Sequence, residues 1–138
     1  MMRVGIDVLE RSRSDRIFRT PKSHKWILHR AEAERVRSMA SDRAVEWCSG
    51  RLCGKEAVGK LLGRGYGQGL TWRDIEIATG WFGEPAIVLH GGARRRQDEL
   101  GITEIQLSIS HQPSVVVAVA VAVAEGAAAE VSSDPLAS

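Results

Sequence analysis

Short apolar segments, either rich in β-branched residues or alternating with polar ones, predict five strands along the chain. They are residues 1–9, 72–78, 86–89, 105–109 and 115–124. A Gly-Glu-Pro turn at 83–85 lies between the second and third segments, so these two are predicted to form a hairpin. The last segment alternates valine with alanine and is apolar on both faces. We therefore expect it at the centre of a sheet or against a neighbouring subunit.

Helical periodicity predicts helices over residues 10–18, 26–39, 43–62 and 93–100. Asp42 is the expected N-cap of the longest helix. That helix contains Gly50, Gly54 and Gly59, each of which costs up to about 1 kcal/mol relative to alanine. The glycines indicate either close approach by another backbone or a ligand, or a break in the helix.

The order of these elements predicts an α+β fold: an N-terminal strand, about three helices and then a mainly antiparallel sheet. A length of 138 residues suits one core rather than two, and we assign residues 1–124 to that single domain. Residues 125–138 turn to Ala, Ser, Glu, Asp and Pro, and they are predicted to form a disordered tail.

The cysteines and the apolar segments indicate a cytoplasmic protein. Cys48 and Cys53 are five residues apart, which on a helix separates their Cα atoms by about 8 Å, too far for an easy disulfide. No second cysteine pair accompanies them, so reduced, buried thiols are expected rather than zinc ligands. The N-terminal ten residues are too charged for a signal peptide. The apolar run at 115–124 is far shorter than the roughly 20 residues of a membrane helix.

The charge balance argues against a dedicated nucleic-acid binder. The chain has 19 basic and 17 acidic residues, a net charge of +2, whereas phosphate contacts require clustered and unopposed positive charge. Only the sequence pI near 8.8 favours nucleic acid. A local basic surface for an acidic partner remains compatible with these numbers.

Asp7 is an acid within the apolar run of the first predicted strand. Acids rarely occupy strand interiors unless the charge is paired or bound to a metal. The alternative is that Asp7 marks the end of the strand and caps the following helix, a common role for aspartate. From this residue alone, the capping role is favoured.

A second charged region lies at the end of the longest predicted helix. Arg51 and Lys55 are four residues apart, which concentrates positive charge that suits a phosphate. Glu56 and Lys60 have the same spacing and are expected to pair; the alternative for all four is an ordinary solvated helix face. The glycine-rich loop at 63–69 follows. Its freed amides can cradle phosphate oxygens, although a plain connection explains the loop equally well.

The histidines carry little information on their own. His111 follows a strand segment, where it could donate to a phosphate or assist a proton transfer, but a structural role is commoner. His24, His29 and His90 are scattered, and their spacing gives no nucleophile–histidine–acid arrangement.

Taken in order, these segments resemble the holo-acyl-carrier-protein synthase family of the 4′-phosphopantetheinyl transferase superfamily. Residues 5–13, GIDVLERSR, match the family's opening pattern Gly-Ile-Asp-Ile-x-Glu-x-x-Arg. Residues 50–65, GRLCGKEAVGKLLGRG, match Gly-Arg-x-x-x-Lys-Glu-Ala-x-x-Lys followed by Gly-x-Gly. The hairpin and the Ser-Ile-Ser-His segment at 108–111 are similar to further family motifs. The resemblance covers roughly residues 3 to 124.

The resemblance implies transfer of the 4′-phosphopantetheine arm of coenzyme A to a serine hydroxyl of an apo acyl carrier protein, with release of adenosine 3′,5′-bisphosphate. Asp7 and Glu56 match the two family carboxylates that bind Mg²⁺, an ion suited to hard oxygen ligands. The implied general base is Glu56 or a water held by the metal. Lys60 matches a residue that contacts a phosphate or stabilises the leaving group.

The resemblance also implies how coenzyme A is bound. Contacts to it are implied for Arg51, Gly63, Arg64, Gly65 and His111, in addition to Lys60. Family members of this short type are homotrimers that bind coenzyme A at subunit interfaces, so a homotrimer is expected here.

Arg13 and Arg16 on the first predicted helix are the implied docking residues for the acidic carrier protein, with a solvated helix face as the alternative. The chain also departs from the family. Only Glu32 is kept from the usual Phe-Thr-x-x-Glu, and residues 52–54, Leu-Cys-Gly, replace an aromatic-Ala-Ala run. These departures keep a second function open, that of a trimer that binds carrier proteins but has lost catalysis.

Overall fold

The computed structural model describes residues 1–65 and 67–125, which form five α-helices and five β-strands. In chain order these are β1 (Met2–Glu10), α1 (Arg11–Phe18), α2 (Pro21–Ile27), α3 (Arg30–Val36), α4 (Ser41–Leu62), β2 (Ile75–Thr79), β3 (Pro85–Leu89), α5 (Gly91–Glu99), β4 (Ile102–His111) and β5 (Val115–Ala124). A 3-10 turn, Trp72–Asp74, precedes β2. The α+β class is confirmed, but four helices rather than about three lie between β1 and β2, with α5 after β3. The predicted tail lies outside the described residues, apart from Glu125.

Both sheets are antiparallel. One has the order β1-β5-β4, and β2 pairs with β3 as a separate hairpin, as predicted. β5 is therefore the central strand, which is what its two apolar faces predicted, and its bounds are those expected. β1 pairs with β5 along its whole length, from Met2 opposite Val123 to Glu10 opposite Val115.

The single helix predicted over residues 26–39 is wrong, because two short helices form there. Leu28 and His29 have extended backbone angles between α2 and α3. His29 caps α3: its Nδ1 accepts a hydrogen bond from the Ala31 N–H, and its own N–H donates to Glu32 Oε1, 2.8 Å away. This reciprocal capping satisfies amides that the first turn of a helix leaves unpaired, so a new helix starts here.

Other predicted bounds also differ, and β4 spans Ile102–His111 rather than 105–109. α4 begins at Ser41 with Ala40 as its N-cap, so Asp42 lies in the first turn, where its charge favours the helix dipole. The segment from Trp72 starts as a 3-10 turn, and the strand begins only at Ile75. None of the helices that the structure describes is both long and apolar enough to cross a bilayer.

Gly5 allows β1 to lie directly against the backbone of α4. A Cβ atom on Gly5 would lie 1.9 Å from the carbonyl oxygen of Ala57 and 2.7 Å from the amide nitrogen of Leu61. Because non-bonded heavy atoms do not approach so closely, only glycine permits this contact. The contact sets the spacing between the strand that carries Asp7 and the helix that carries Glu56.

α4 is continuous despite its glycines, so the alternative of a broken helix is wrong. At Gly50 and Gly54 the close neighbours are side chains from the two sheets rather than a second backbone. A Cβ on Gly54 would lie 2.7 Å from Ile77 Cδ1, and one on Gly50 would lie 2.5 Å from His111 Nε2. The two glycines therefore let β2 and β4 pack closely on the helix.

The core has two hydrophobic clusters that share α4. The larger lies between α4 and the sheets, and the smaller lies beneath α1, α2 and α3. Cys48 and Cys53 are free, buried thiols, as predicted, and burial raises the pKa of each to about 12. Cys53 Sγ donates to the carbonyl oxygens of Asp7 and Val116, at 3.3 and 3.4 Å, and so links α4 to β1 and β5.

One face of the three-stranded sheet, which we call the outer sheet face, is apolar and exposed. Its most exposed members are Met2, Val4, Ile6, Val8 and Val123, each with 51 to 71% of its surface accessible. Alternation along β1 turns the residues between them, Asp7 included, towards α4. A contiguous apolar surface of this kind indicates contact with another protein surface.

Candidate active site between the first strand and the long helix

Asp7 lies in the middle of β1, opposite Ala118 of β5, so its predicted alternative role as a helix cap is wrong. Its carboxylate points to the inner side of the strand and is 11% exposed. Oδ1 accepts a hydrogen bond from Lys60 Nζ at 3.0 Å, and the same ammonium group donates to the Ile6 carbonyl oxygen. Within residues 1–65 and 67–125, Asp7 Oδ2 is buried and has no hydrogen-bond partner.

Glu56 stands one helical turn before Lys60 on α4 and is half-buried. Its Oε1 accepts a hydrogen bond from the Trp72 indole N–H at 2.9 Å. Burial raises the pKa of Glu56, and the negative charge of Asp7 adds to that rise. The Trp72 hydrogen bond and the charge of Lys60 oppose it. The two carboxyl groups are therefore close enough to interact electrostatically.

A cavity of about 620 Å³ opens beside this carboxylate pair. Asp7 and Glu56 both line it, and its other walls include Arg13, Leu52 and Trp72. Glu10 lines it as well, so the cavity combines three acids, one cation and apolar surface, a composition typical of a ligand site.

The donor set at this cavity fits a hard divalent cation. Two carboxylates meet there, and a buried carboxylate oxygen without a partner is costly unless something binds it. Carboxylate oxygens are the ligands that Mg²⁺ prefers. Asp7 and Glu56 are the residues that would hold such an ion.

Lys55 is not available to a phosphate, and neither alternative considered for it is correct. Its side chain is fully buried, and Nζ lies 2.6 Å from Oε1 of the equally buried Glu32. Nζ also donates to the carbonyl oxygens of Trp72 and Ile75. Glu32, the residue kept from the family's Phe-Thr-x-x-Glu pattern, is a structural anchor, because its Oε2 also accepts from the Ile77 N–H at 3.0 Å.

Arg51 and His111 lie apart from the carboxylate pair. Arg51 is nine residues before Lys60, which places it about 13 Å away along the helix and on the opposite side. Its guanidinium lies 4.3 Å over the Trp47 ring and donates to Thr79 Oγ1 at 3.1 Å. Burial lowers its pKa to about 10. His111, at the end of β4, packs on Gly50, the residue before Arg51.

The Gly63-Arg64-Gly65 turn lies at a third position, the C-terminal end of α4. Gly63 ends the helix in the left-handed conformation, with φ of 70°, which glycine adopts without strain. Arg3 and Arg96 donate to the last carbonyls of the helix, those of Leu61 and Leu62. This concentration of cations was not predicted, because the three segments meet only in the fold.

Arg64 and Arg96 line a small cavity of about 140 Å³ beside this turn, together with Arg95. The amide of Gly65 is already bound by Gln68 Oε1 at 2.8 Å. The positive charge at the turn therefore comes from side chains rather than from a free amide at Gly65.

Arg13 and Arg16 are both exposed on α1, as docking would require, and Arg13 also lines the large cavity. Trp72 was missed by sequence reasoning. It was placed in a strand, and nothing in its spacing connects it to Glu56, sixteen residues earlier.

The chain matches a family described as the 4′-phosphopantetheinyl transferase superfamily over residues 3–120. It is 36% identical over 121 residues to a holo-[acyl-carrier-protein] synthase of Natranaerobius thermophilus, covering 86% of this chain and 94% of the relative. To the enzyme of that name from Moorella thermoacetica it is 39% identical over 122 residues, covering 87% and 92%.

Solved structures give the same result. The holo-ACP synthase of Plasmodium yoelii superposes with a TM-score of 0.79 at 29% identity, covering 90% of this chain and 95% of that one. The holo-(acyl-carrier-protein) synthase of Bacillus anthracis, in complex with CoA (3′,5′-ADP), has a TM-score of 0.74 at 27% identity, covering 88% and 97%.

Proposed function

The chain belongs to the holo-[acyl-carrier-protein] synthases of the 4′-phosphopantetheinyl transferase superfamily, and we propose that it loads an apo acyl carrier protein from coenzyme A with the help of Mg²⁺. The serine oxygen of the carrier forms a bond to the β-phosphorus of coenzyme A. The bond from that phosphorus to the bridging oxygen breaks, and adenosine 3′,5′-bisphosphate leaves. The meeting of Asp7 and Glu56 at one cavity is the observation that carries the proposal.

The two carboxylates and Lys60 have different roles at the reacting phosphates. Asp7 and Glu56 hold Mg²⁺, which when bound offsets the negative charge of the pyrophosphate. Lys60, paired with Asp7 at 3.0 Å and more than half exposed, can turn to a phosphate oxygen and stabilise the leaving group. Glu56, or a water held by the metal, would accept the proton of the serine hydroxyl.

The complete coenzyme A site is proposed to form between two subunits of a trimer. Arg51 and His111 are implied contacts, yet in one chain they lie on the far side of α4 from Lys60. A neighbouring subunit can supply them to the carboxylate pair of the next. The exposed outer sheet face is the apolar surface that supports such an assembly.

The remaining contacts surround this site. Gly63, Arg64 and Gly65 lie in a basic region that suits the phosphates of coenzyme A. Arg13 and Arg16 are exposed beside the cavity and are proposed to receive the acidic carrier protein, whose serine must reach Glu56.

A non-catalytic carrier-binding trimer is the less favoured function. This function was considered because residues 52–54 differ from the family pattern. Cys53 and Gly54, however, pack in the core, and only Leu52 reaches the cavity. The alteration therefore leaves Asp7 paired with Lys60 and leaves Glu56 at the cavity.

The intact mass of a carrier protein tests the proposal directly. Apo acyl carrier protein is incubated with the purified chain, coenzyme A and Mg²⁺. A mass gain equal to one phosphopantetheine arm, abolished by EDTA, is expected. No gain with fatty-acid, polyketide or peptide carriers would reject the transferase and leave the binding trimer.

A further inference from the structure

Three residues that are scattered in the sequence, His29, Glu76 and His90, meet outside the cavity that Asp7 and Glu56 line. His90 Nε2 lies 2.9 Å from Glu76 Oε1, and His29 Nδ1 lies 3.6 Å from the same oxygen. The two imidazole rings stack in parallel, 4.4 Å apart between centroids. One ligand atom from each residue lies within 4.8 Å of the other two.

Each residue is held by a different element. His29 is the N-cap of α3, Glu76 lies in β2, and His90 is the N-cap of α5 directly after β3. The His90 amide donates to the Asp74 carbonyl oxygen at 2.8 Å, which fixes the start of α5 against the 3-10 turn. The cluster is partly exposed, with side-chain accessibilities between 15 and 39%, so an ion can reach it from solvent.

We propose that His29, Glu76 and His90 form a binding site for a transition-metal ion of the Zn²⁺ class. Two imidazoles and one carboxylate are a common set of three protein ligands for zinc, with water in the fourth position. Donor atoms of a tetrahedral zinc site with bonds near 2.0 Å are about 3.3 Å apart, so small side-chain shifts bring this cluster to that geometry. Nitrogen donors disfavour Mg²⁺, so the site is chemically distinct from the carboxylate pair.

Metal binding rearranges two existing contacts. The ion would take the place of the His90 Nε2 proton that now faces Glu76, and the neutral ring would then carry its proton on Nδ1. His29 Nδ1 accepts from the Ala31 N–H at 3.2 Å, so the ring either gives up this cap or turns to present Nε2. The other half of the capping box, from the His29 N–H to Glu32, is untouched by either choice.

An ion here would join α3, β2 and α5. Glu32, which pairs with the buried Lys55, lies three residues after His29, and Ile77, whose N–H donates to Glu32, directly follows Glu76. The bound ion is therefore expected to stabilise the fold, because it binds only the native arrangement.

Equilibrium dialysis of the full-length, EDTA-treated chain against Zn²⁺ in excess Mg²⁺ tests the site. One zinc per chain is expected, together with a rise in Tm, and Co²⁺ in its place should give the visible absorption of a tetrahedral nitrogen-ligated ion. The variants His29→Ser, Glu76→Gln and His90→Asn should each weaken binding by at least about tenfold. Serine and asparagine are good N-caps, so both histidine replacements keep the helix starts.

His24→Ser is the matched control, because His24 lies outside the cluster and contacts the Phe18 carbonyl oxygen instead. It should bind zinc as the parent does. The site is rejected if the parent binds no zinc, if its Tm does not respond, or if binding is lost in Asp7→Asn but kept in the three cluster variants. Because transfer is not measured, these outcomes are independent of the proposed function.

Discussion

Lys55 Nζ lies 2.6 Å from Oε1 of Glu32, and the two side chains form an ion pair that is almost completely shielded from water. The pair joins α4 to α3 and, through the Ile75 carbonyl oxygen and the Ile77 amide, to β2. Lys55 directly precedes Glu56. Fixing Lys55 in the core therefore fixes the rotation of α4 that turns Glu56 to the cavity.

Breaking this pair should destabilise the protein strongly. Lys55→Met removes the charge at nearly constant volume and leaves Glu32 as a buried, uncompensated carboxylate. We expect a loss of about 3–5 kcal/mol in the free energy of unfolding, measured by urea denaturation. The double variant Glu32→Gln with Lys55→Met should cost at least about 1 kcal/mol less than the sum of the single variants. Additive single effects would show that the two side chains do not interact.

Removing either carboxylate should abolish transfer without unfolding the protein. Asp7→Asn and Glu56→Gln keep shape while removing a metal ligand, so we expect activity to fall by at least about a hundredfold and Mn²⁺ binding to weaken in both. Asp98→Asn is the control, since Asp98 is an exposed acid on α5 paired with Arg94. Full activity in either site variant would contradict the assignment of that residue.

Glu56 should make stability depend on pH. Its pKa is raised above the ordinary value of 4.5, so the folded protein holds this proton more tightly than the unfolded chain does. The resulting stability is present below 4.5 and is lost as the pH rises through the raised value. Urea denaturation in EDTA should therefore show the parent losing stability relative to Glu56→Gln between about pH 4 and neutrality. A difference that stays constant or changes in the opposite direction would contradict the raised pKa.

Mixed trimers should reveal a site shared between subunits. Asp7→Asn and Arg51→Met are each expected to be inactive, but an interface with Asp7 from one subunit and Arg51 from the next is complete. Random mixing at equal amounts makes about one interface in four complete, so about a quarter of the parental activity should return after co-refolding. No recovery would place both residues in the same subunit's site.

A charge on the outer sheet face should prevent assembly. Val4→Lys places an ammonium group where 62% of the valine is exposed in the single chain, and burying it against a neighbour is unfavourable. Light scattering after size exclusion should show a monomer, whereas Val88→Lys, on the separate hairpin sheet, should leave the trimer intact. A parent protein that is itself monomeric would reject the interface.

Local sequence patterns correctly predicted features that depend on neighbouring residues, such as strands and helix faces. The valine–alanine alternation identified β5, and its central position is one of the two places expected for it. The four-residue spacing of Glu56 and Lys60 placed both on one side of α4, but the expected pairing is wrong, because Lys60 pairs with Asp7 and Glu56 with Trp72. The capping break at His29 was missed, because histidine is not among the usual N-cap residues.

The role of Lys55 was predicted wrongly because it depends on tertiary packing. From Trp47 to Leu62 α4 is buried on nearly every side, so periodicity could not show that Lys55 points inward. The Trp72 bond to Glu56 and the meeting of His29 with His90 depend on how distant segments pack. Neither leaves a signal in spacing.

The relative position of Asp7 and Glu56 depends on the contact at Gly5, a residue that carries no functional group. A single methyl there would overlap the carbonyl of Ala57 and force β1 and α4 apart. The acids they carry would then separate while every polar side chain stayed unchanged. Gly5→Ala would thus keep every metal ligand while moving Asp7 away from Glu56, so this site depends on a residue that neither binds nor ionises.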